Sequence, residues 1–174
     1  MRPCNIVLKL SAAVFFLLLT GCSSSDMTFN QAVRELPFPV LLPDDLPEGW
    51  EIAETVYDEE LLVVSYDTGD GGRIELVQDQ NIQGLELYTL RNYIISGSTS
   101  QDLIESGITI QEFSDFIGEL ISFDEPVPTI QYTFVKKKNL FGSLENIPVY
   151  QVIGKEATLG DIRKFTERLE AVPQ

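Results

Sequence analysis

The run Thr129-Ile130-Gln131-Tyr132-Thr133-Phe134-Val135 alternates polar and apolar residues, and this period of two constrains the fold more than any other feature. Arg73-Ile74-Glu75-Leu76-Val77-Gln78 keeps the same period and reads as the return strand of a hairpin. Its partner, Leu61-Leu62-Val63-Val64-Ser65-Tyr66, is apolar enough to lie centrally in a sheet. Between them Asp67–Gly72 is rich in Gly and Asp, the residues of a turn. Strand character returns at Ile108-Thr109-Ile110, at Gly118–Phe123 and at Val149–Gly154, the last expected strand. Trp50, Ile52 and Val56 mark the expected inward positions of the first strand. Leu85, Leu87 and Tyr88 suggest one more, and the residues around Leu103 a helical turn.

Helices are expected at the two ends. Thr28 and Gln31 form a capping-box pattern, Phe29, Ala32, Val33 and Leu36 share one face, and Pro37 ends the helix. Pro37, Pro39, Pro43 and Pro47 then keep the chain extended. Near the C-terminus Thr158 caps a helix of about three turns, with Asp161 in the first turn, where negative charge suits the helix dipole. Its apolar stripe is Leu159, Ile162, Phe165 and Leu169. The expected class is α+β: a mainly antiparallel sheet of about five to seven strands, with a short N-terminal helix and a C-terminal helix packed on one face.

The first residues read as a secretion signal. Arg2 and Lys9 make a positive start, and Leu10–Leu19 is an apolar run of about ten residues, inside the range of signal h-regions. A spanning helix needs about 20 apolar residues. The run ends in Leu19-Thr20-Gly21-Cys22, a small residue followed by a thiol. This segment resembles the lipobox of bacterial lipoproteins. The resemblance implies cleavage before Cys22, a diacylglyceryl group on its sulfur, and a place on the outer leaflet of the cell membrane. Two or more acyl chains anchor stably, whereas one is marginal. The expected division is 1–21 signal, 22–27 lipidated Cys and short linker, and 28–174 a single α+β domain.

The formal charge is −15, and losing Arg2 and Lys9 with the signal takes it to −17. Such acidity argues against nucleic acid and against electrostatic docking on anionic lipid. The chain has no His, which excludes Ser-His-Asp and Cys-His catalysis and His-ligated zinc. With Cys4 in the signal and Cys22 modified, no intrachain disulfide is expected.

Leu42-Pro43 followed by Leu46-Pro47-Glu48-Gly49-Trp50 resembles the opening motif of the family called domain of unknown function 4367. Val63–Tyr66, Ile74–Gln78 and Tyr150–Gly154 running into Leu159 and Ile162 fit the same pattern, over residues 38–170. The resemblance implies a fold and an envelope location. It carries over no catalytic residue.

Several groups invite a chemical reading. Asp67–Gly72 alternates acids and glycines, as a calcium loop does, yet lacks the full ligand spacing and closing Glu; a hairpin turn is the simpler reading. Asp58-Glu59-Glu60 and Asp124-Glu125 are candidate catalytic carboxylates, although both sit at expected turns, where solvated acids are ordinary. Trp50 reads as a core anchor or as a platform for sugar. Lys136-Lys137-Lys138 is the only basic run in an acidic chain. With Phe141 and Leu144 just beyond, it is the expected contact for a partner, and a solvated hairpin is the plainer alternative.

The expectation is a lipid-anchored, extracytoplasmic module for interaction or sensing, without catalysis or cofactor. Its partners are the membrane, through the lipid on Cys22, and an envelope protein or small ligand. The alternatives are a carboxylate hydrolase of envelope glycan and a carrier of a small apolar ligand.

Overall fold

Strand pairing follows the period-two runs. The computed structural model describes residues 23–98, 103 and 105–173. Cys22, the expected lipidation site, and the whole signal lie outside the described residues, as do Thr99 and Ser100 of the expected loop. Strands β3 (Leu61–Asp67) and β4 (Arg73–Asp79) pair without a break from Leu61↔Asp79 to Asp67↔Arg73. The others are β2 (Glu51–Asp58), β5 (Thr109–Phe113), β6 (Phe116–Phe123), β7 (Thr129–Lys136) and β8 (Tyr150–Lys155). Together they form one antiparallel sheet in the order β2-β3-β4-β8-β7-β6-β5. β8 enters last and joins the two meanders at the sheet centre.

One face carries the main core. Leu62, Val64, Tyr66, Ile74, Leu76, Tyr132, Phe134 and Val152 point into it and are buried. Helix α1 (Ser23–Glu35) covers this face through Ala32 and Val33, and helix α3 (Leu159–Thr166) through Ile162 and Phe165. A short ribbon, β1 (Leu41–Pro43) with β9 (Leu169–Ala171), completes the layer. Gly154 lets α3 close on the sheet: a Cβ there would lie 2.7 Å from Ile162 Cδ1. On the opposite face a smaller cluster, Leu90, Ile110, Ile117, Val135 and Leu140, lies beneath helix α2 (Leu87–Ser96). The α+β class, the antiparallel sheet and both terminal helices are as the sequence predicts.

Local expectations fail in instructive ways. α1 begins at Ser23, so Ser23–Asp26 is helical rather than a linker. No Gly or Pro interrupts that stretch. Thr28 is therefore an interior residue, and Gln31 reaches Glu35 instead of a cap. Leu85, Leu87 and Tyr88 do not form a strand. Leu87, Leu90 and Ile94 recur at helical spacing, and α2 ends at Gly97, whose φ of +70° suits a residue without Cβ. Ile52 and Val56 are 53% and 42% exposed, because β2 is an edge strand with a bulge between Ile52 and Glu54. Thr55 and Tyr57 are half-buried in their place. A strand precedes Trp50 and another follows β8: β1 and β9 pair across the chain ends.

The closing helix is shorter than its stripe implies. Thr158 and Asp161 form a reciprocal cap, with Thr158 N donating to Asp161 Oδ2 at 2.9 Å. The helix stops at Thr166, and Leu169 is buried in β9 opposite Pro43. Leu159 is partly exposed. Among the described residues no helix is long and apolar enough to cross a membrane.

Candidate functional site

The lysine run lies where β7 gives way to a 3-10 helix. Lys136 is the last residue of β7, and Lys137, Lys138 and Phe141 belong to the helical turn Lys137–Phe141. Leu140 pins that turn to the smaller cluster. Arg91 on α2 holds it from outside, donating through Nε to Leu140 O at 2.5 Å and through Nη2 to Gly142 O at 2.6 Å. This geometry divides the run. Lys137 Nζ turns to β5 and pairs with Glu112 at 2.7 Å. Lys136 and Lys138 instead line one cleft of about 410 Å³ with Asn139, Ser143 and Asn146.

The cleft has a fixed floor. Tyr150 is buried there, and its hydroxyl donates to Pro39 O at 2.7 Å. Pro148 and Ile147 add an apolar wall. Lys136 Nζ stands 5.9 Å from the centroid of the Phe116 ring. Burial and then repulsion from Lys138 hold the Lys136 ammonium below the usual lysine range, with Asp115 and Glu170 offsetting part of this. Among the described residues neither Lys136 nor Lys138 forms an ion pair, since the four ion pairs use Lys137, Arg73, Lys155 and Arg168. The Asn139 and Asn146 side chains make no hydrogen bond among the described residues. Asn146 has a φ of +57°, a conformation Asn tolerates better than most residues. Phe141 is 66% exposed and does not line the cleft. Leu144 lines a separate hollow with Tyr88, Arg91 and Glu86.

The other candidates are placed apart from one another. Thr68 caps Asp70 inside the β3–β4 turn, and this hydroxyl contact holds the Asp70 carboxyl below its usual range. Arg73 and Asp67 close the turn as an ion pair at 3.0 Å. Among the described residues no group of three or more Cys, Asp or Glu converges as a metal-ligand set. Asp58, Glu59 and Glu60 are exposed at the tight β2–β3 turn, and Asp124 and Glu125 are exposed between β6 and β7. Trp50 is half-buried and stacks on Phe165, with ring centroids 6.1 Å apart and planes at 19°.

One carboxylate escapes a sequence reading based on turns. Glu119, in the middle of β6, is only 6% exposed. Burial raises its pKa and the nearby Glu86 carboxylate adds to this, while a hydrogen bond from Glu86 N at 3.4 Å works the other way. The signal was an acid inside the otherwise uncharged run Phe116–Phe123. Beside it in register Thr133 accepts from Gln151 Nε2 at 3.0 Å, giving a polar row across β6, β7 and β8.

No family model matches the chain, and neither a curated protein nor a solved structure does. The resemblances that begin from Leu19–Cys22 and from Leu42–Trp50 rest on the sequence alone.

Proposed function

We propose that the chain is a lipid-anchored extracytoplasmic binding module without a catalytic centre, and that its ligand enters the cleft between Lys136 and Lys138. The anchor rests on Leu19-Thr20-Gly21-Cys22 and the charged, short apolar segment before it. The observation that carries the binding reading is the pair of lysines, free of ion pairs among the described residues, in one cleft of a chain with charge −15. Acids outnumber bases 27 to 12 over the whole chain, yet this cleft gathers two cations that form no ion pair among the described residues.

A carboxylate hydrolase is the second reading, and Glu119 beside Glu86 is the observation that favours it. Neither the lysine cleft nor the hollow at Leu144 is lined by Glu119. An apolar carrier would need space beneath the closing helix. Ile162 and Phe165 are fully buried there.

The anchor is tested by mass spectrometry of the mature N-terminus. A diacylated Cys22 is expected, and Cys22→Ala releases or mislocalises the chain; an unmodified Cys22 overturns the anchor. Turnover of cell-wall glycan by the purified chain, abolished by Glu119→Gln, overturns the non-catalytic reading.

A further inference from the structure

We propose that the cleft formed by Lys136, Lys138, Asn139, Ser143 and Asn146 is a binding site for the phosphate group of a polyol phosphate. The inference deepens the reading of this cleft as the binding surface and does not depend on the lipid anchor.

The charge at the site is positive, and Asp115 and Glu170 compensate only part of it at Lys136. Lys137 is neutralised by Glu112, but its two neighbours in sequence form no ion pair among the described residues. They stand close enough for Lys138 to oppose protonation of Lys136. A like charge beside the half-buried Lys136 is costly unless an anion joins it and the exposed Lys138. The cost is borne by a fixed scaffold, because Leu140, Arg91 and the Tyr150–Pro39 hydrogen bond hold the cleft walls from three sides.

The donors fit an oxyanion. Asn139 and Asn146 each offer an uncommitted amide. Ser143 Oγ accepts from Glu145 N at 3.2 Å, which leaves its own proton free to donate. Phosphate takes several donors around three or more oxygens, and lysine serves it as a point charge. Carboxylate favours the planar fork of arginine, and no arginine lines this cleft. The same amides and hydroxyl also suit the hydroxyls of a polyol beside the phosphate. Such a group occurs both on a soluble or wall-bound polymer and on a glycerophospholipid. The flanking Asp115 and Glu170 act on Lys136 from nearby and disfavour a broad anionic surface, so a single phosphate in the cleft is the better fit than a flat bilayer.

The test uses the full chain in neutral detergent, labelled with ¹⁵N. It is titrated with glycerol 3-phosphate, with monomeric dihexanoyl phosphatidylglycerol, and with acetate and glycerol as controls. Glycerol 3-phosphate is expected to shift the amides of Asn139, Ser143 and Asn146. Saturation by phosphatidylglycerol at lower concentration than glycerol 3-phosphate assigns the site to a lipid headgroup; the reverse order assigns it to a non-lipid phosphate. Lys136→Met with Lys138→Gln removes both charges at similar side-chain length and is expected to weaken binding about tenfold or more, as for loss of charged hydrogen bonds. The variant's own spectrum reports whether it folds. The affinity is also expected to fall at alkaline pH as Lys136 deprotonates. Equal shifts with acetate, or binding unchanged in the variant, would overturn the phosphate site. Localised shifts caused only by another class of ligand would overturn this proposal while leaving the cleft as the binding surface; the absence of any ligand response there would remove both.

Discussion

The side-chain amide of Gln78 holds both backbone groups of Leu41: Leu41 N donates to Gln78 Oε1 at 2.7 Å, and Gln78 Nε2 donates to Leu41 O at 2.9 Å. A side chain from β4 thus stands in for a neighbouring strand and fastens the β1–β9 ribbon to the sheet. All three groups are inside the core, where an unpaired donor or acceptor is costly. The ribbon carries Ala171 to the cleft wall, so this bond also helps to shape the candidate site.

Gln78→Leu is expected to cost about 2–4 kcal/mol, because it strands a buried N–H and a buried C=O together. Gln78→Glu keeps an acceptor for Leu41 N and sets a carboxylate oxygen against Leu41 O, so it is expected to be no better. Urea denaturation of the full chain measures both. A midpoint unchanged by Gln78→Leu would show that the ribbon is not held in this way.

Two aromatic neighbours should respond with opposite signs. Phe165 is fully buried between Trp50 and Tyr66, so Phe165→Ala is expected to cost about 3–5 kcal/mol. Tyr66 Oη is buried without a hydrogen-bond partner among the described residues. Tyr66→Phe removes that burden and keeps the ring, so stability is expected to hold or to rise by about 1 kcal/mol. Thermal and urea midpoints read both changes, and a large loss in Tyr66→Phe would mean that the hydroxyl has a partner.

Much of this core was legible from periodicity. Ile74 and Leu76 needed only alternation to be placed, whereas Leu62, Val64 and Tyr66 stand in a continuous apolar run that marks a central strand without choosing a face. Edges and chain ends were not legible, because their burial depends on neighbours distant in sequence. Ile52 looked inward by its type, yet β2 borders solvent. Leu169 kept the helical spacing of Ile162 and Phe165, yet the helix stops and pairing with Pro43 buries it in a strand. At the candidate site composition picked out Lys136–Lys138. The division of the run came from the turn at Lys137, which sends one ammonium to Glu112 and leaves two at the cleft. Glu119 is hidden from any rule that places acids at turns, because it stands in mid-strand.

Glu119 gives the chain a pH signature. Its raised pKa means that the folded state keeps the proton to higher pH than the unfolded chain does. Between the ordinary Glu value, about 4.3, and the raised one, the native state binds more protons, so this group's contribution to stability declines as pH rises through that window. Glu119→Gln is expected to abolish that decline. Denaturation midpoints across the acid range check it, and parallel curves for the two proteins would contradict it.

The most direct test of the account is hydrogen–deuterium exchange of the full chain in its own membranes, compared with the chain purified in detergent. Engagement of the cleft predicts slower exchange over residues 136–148 in the membranes, lost in the Lys136→Met, Lys138→Gln variant. Protection confined to another surface, or none that depends on these two lysines, would contradict it.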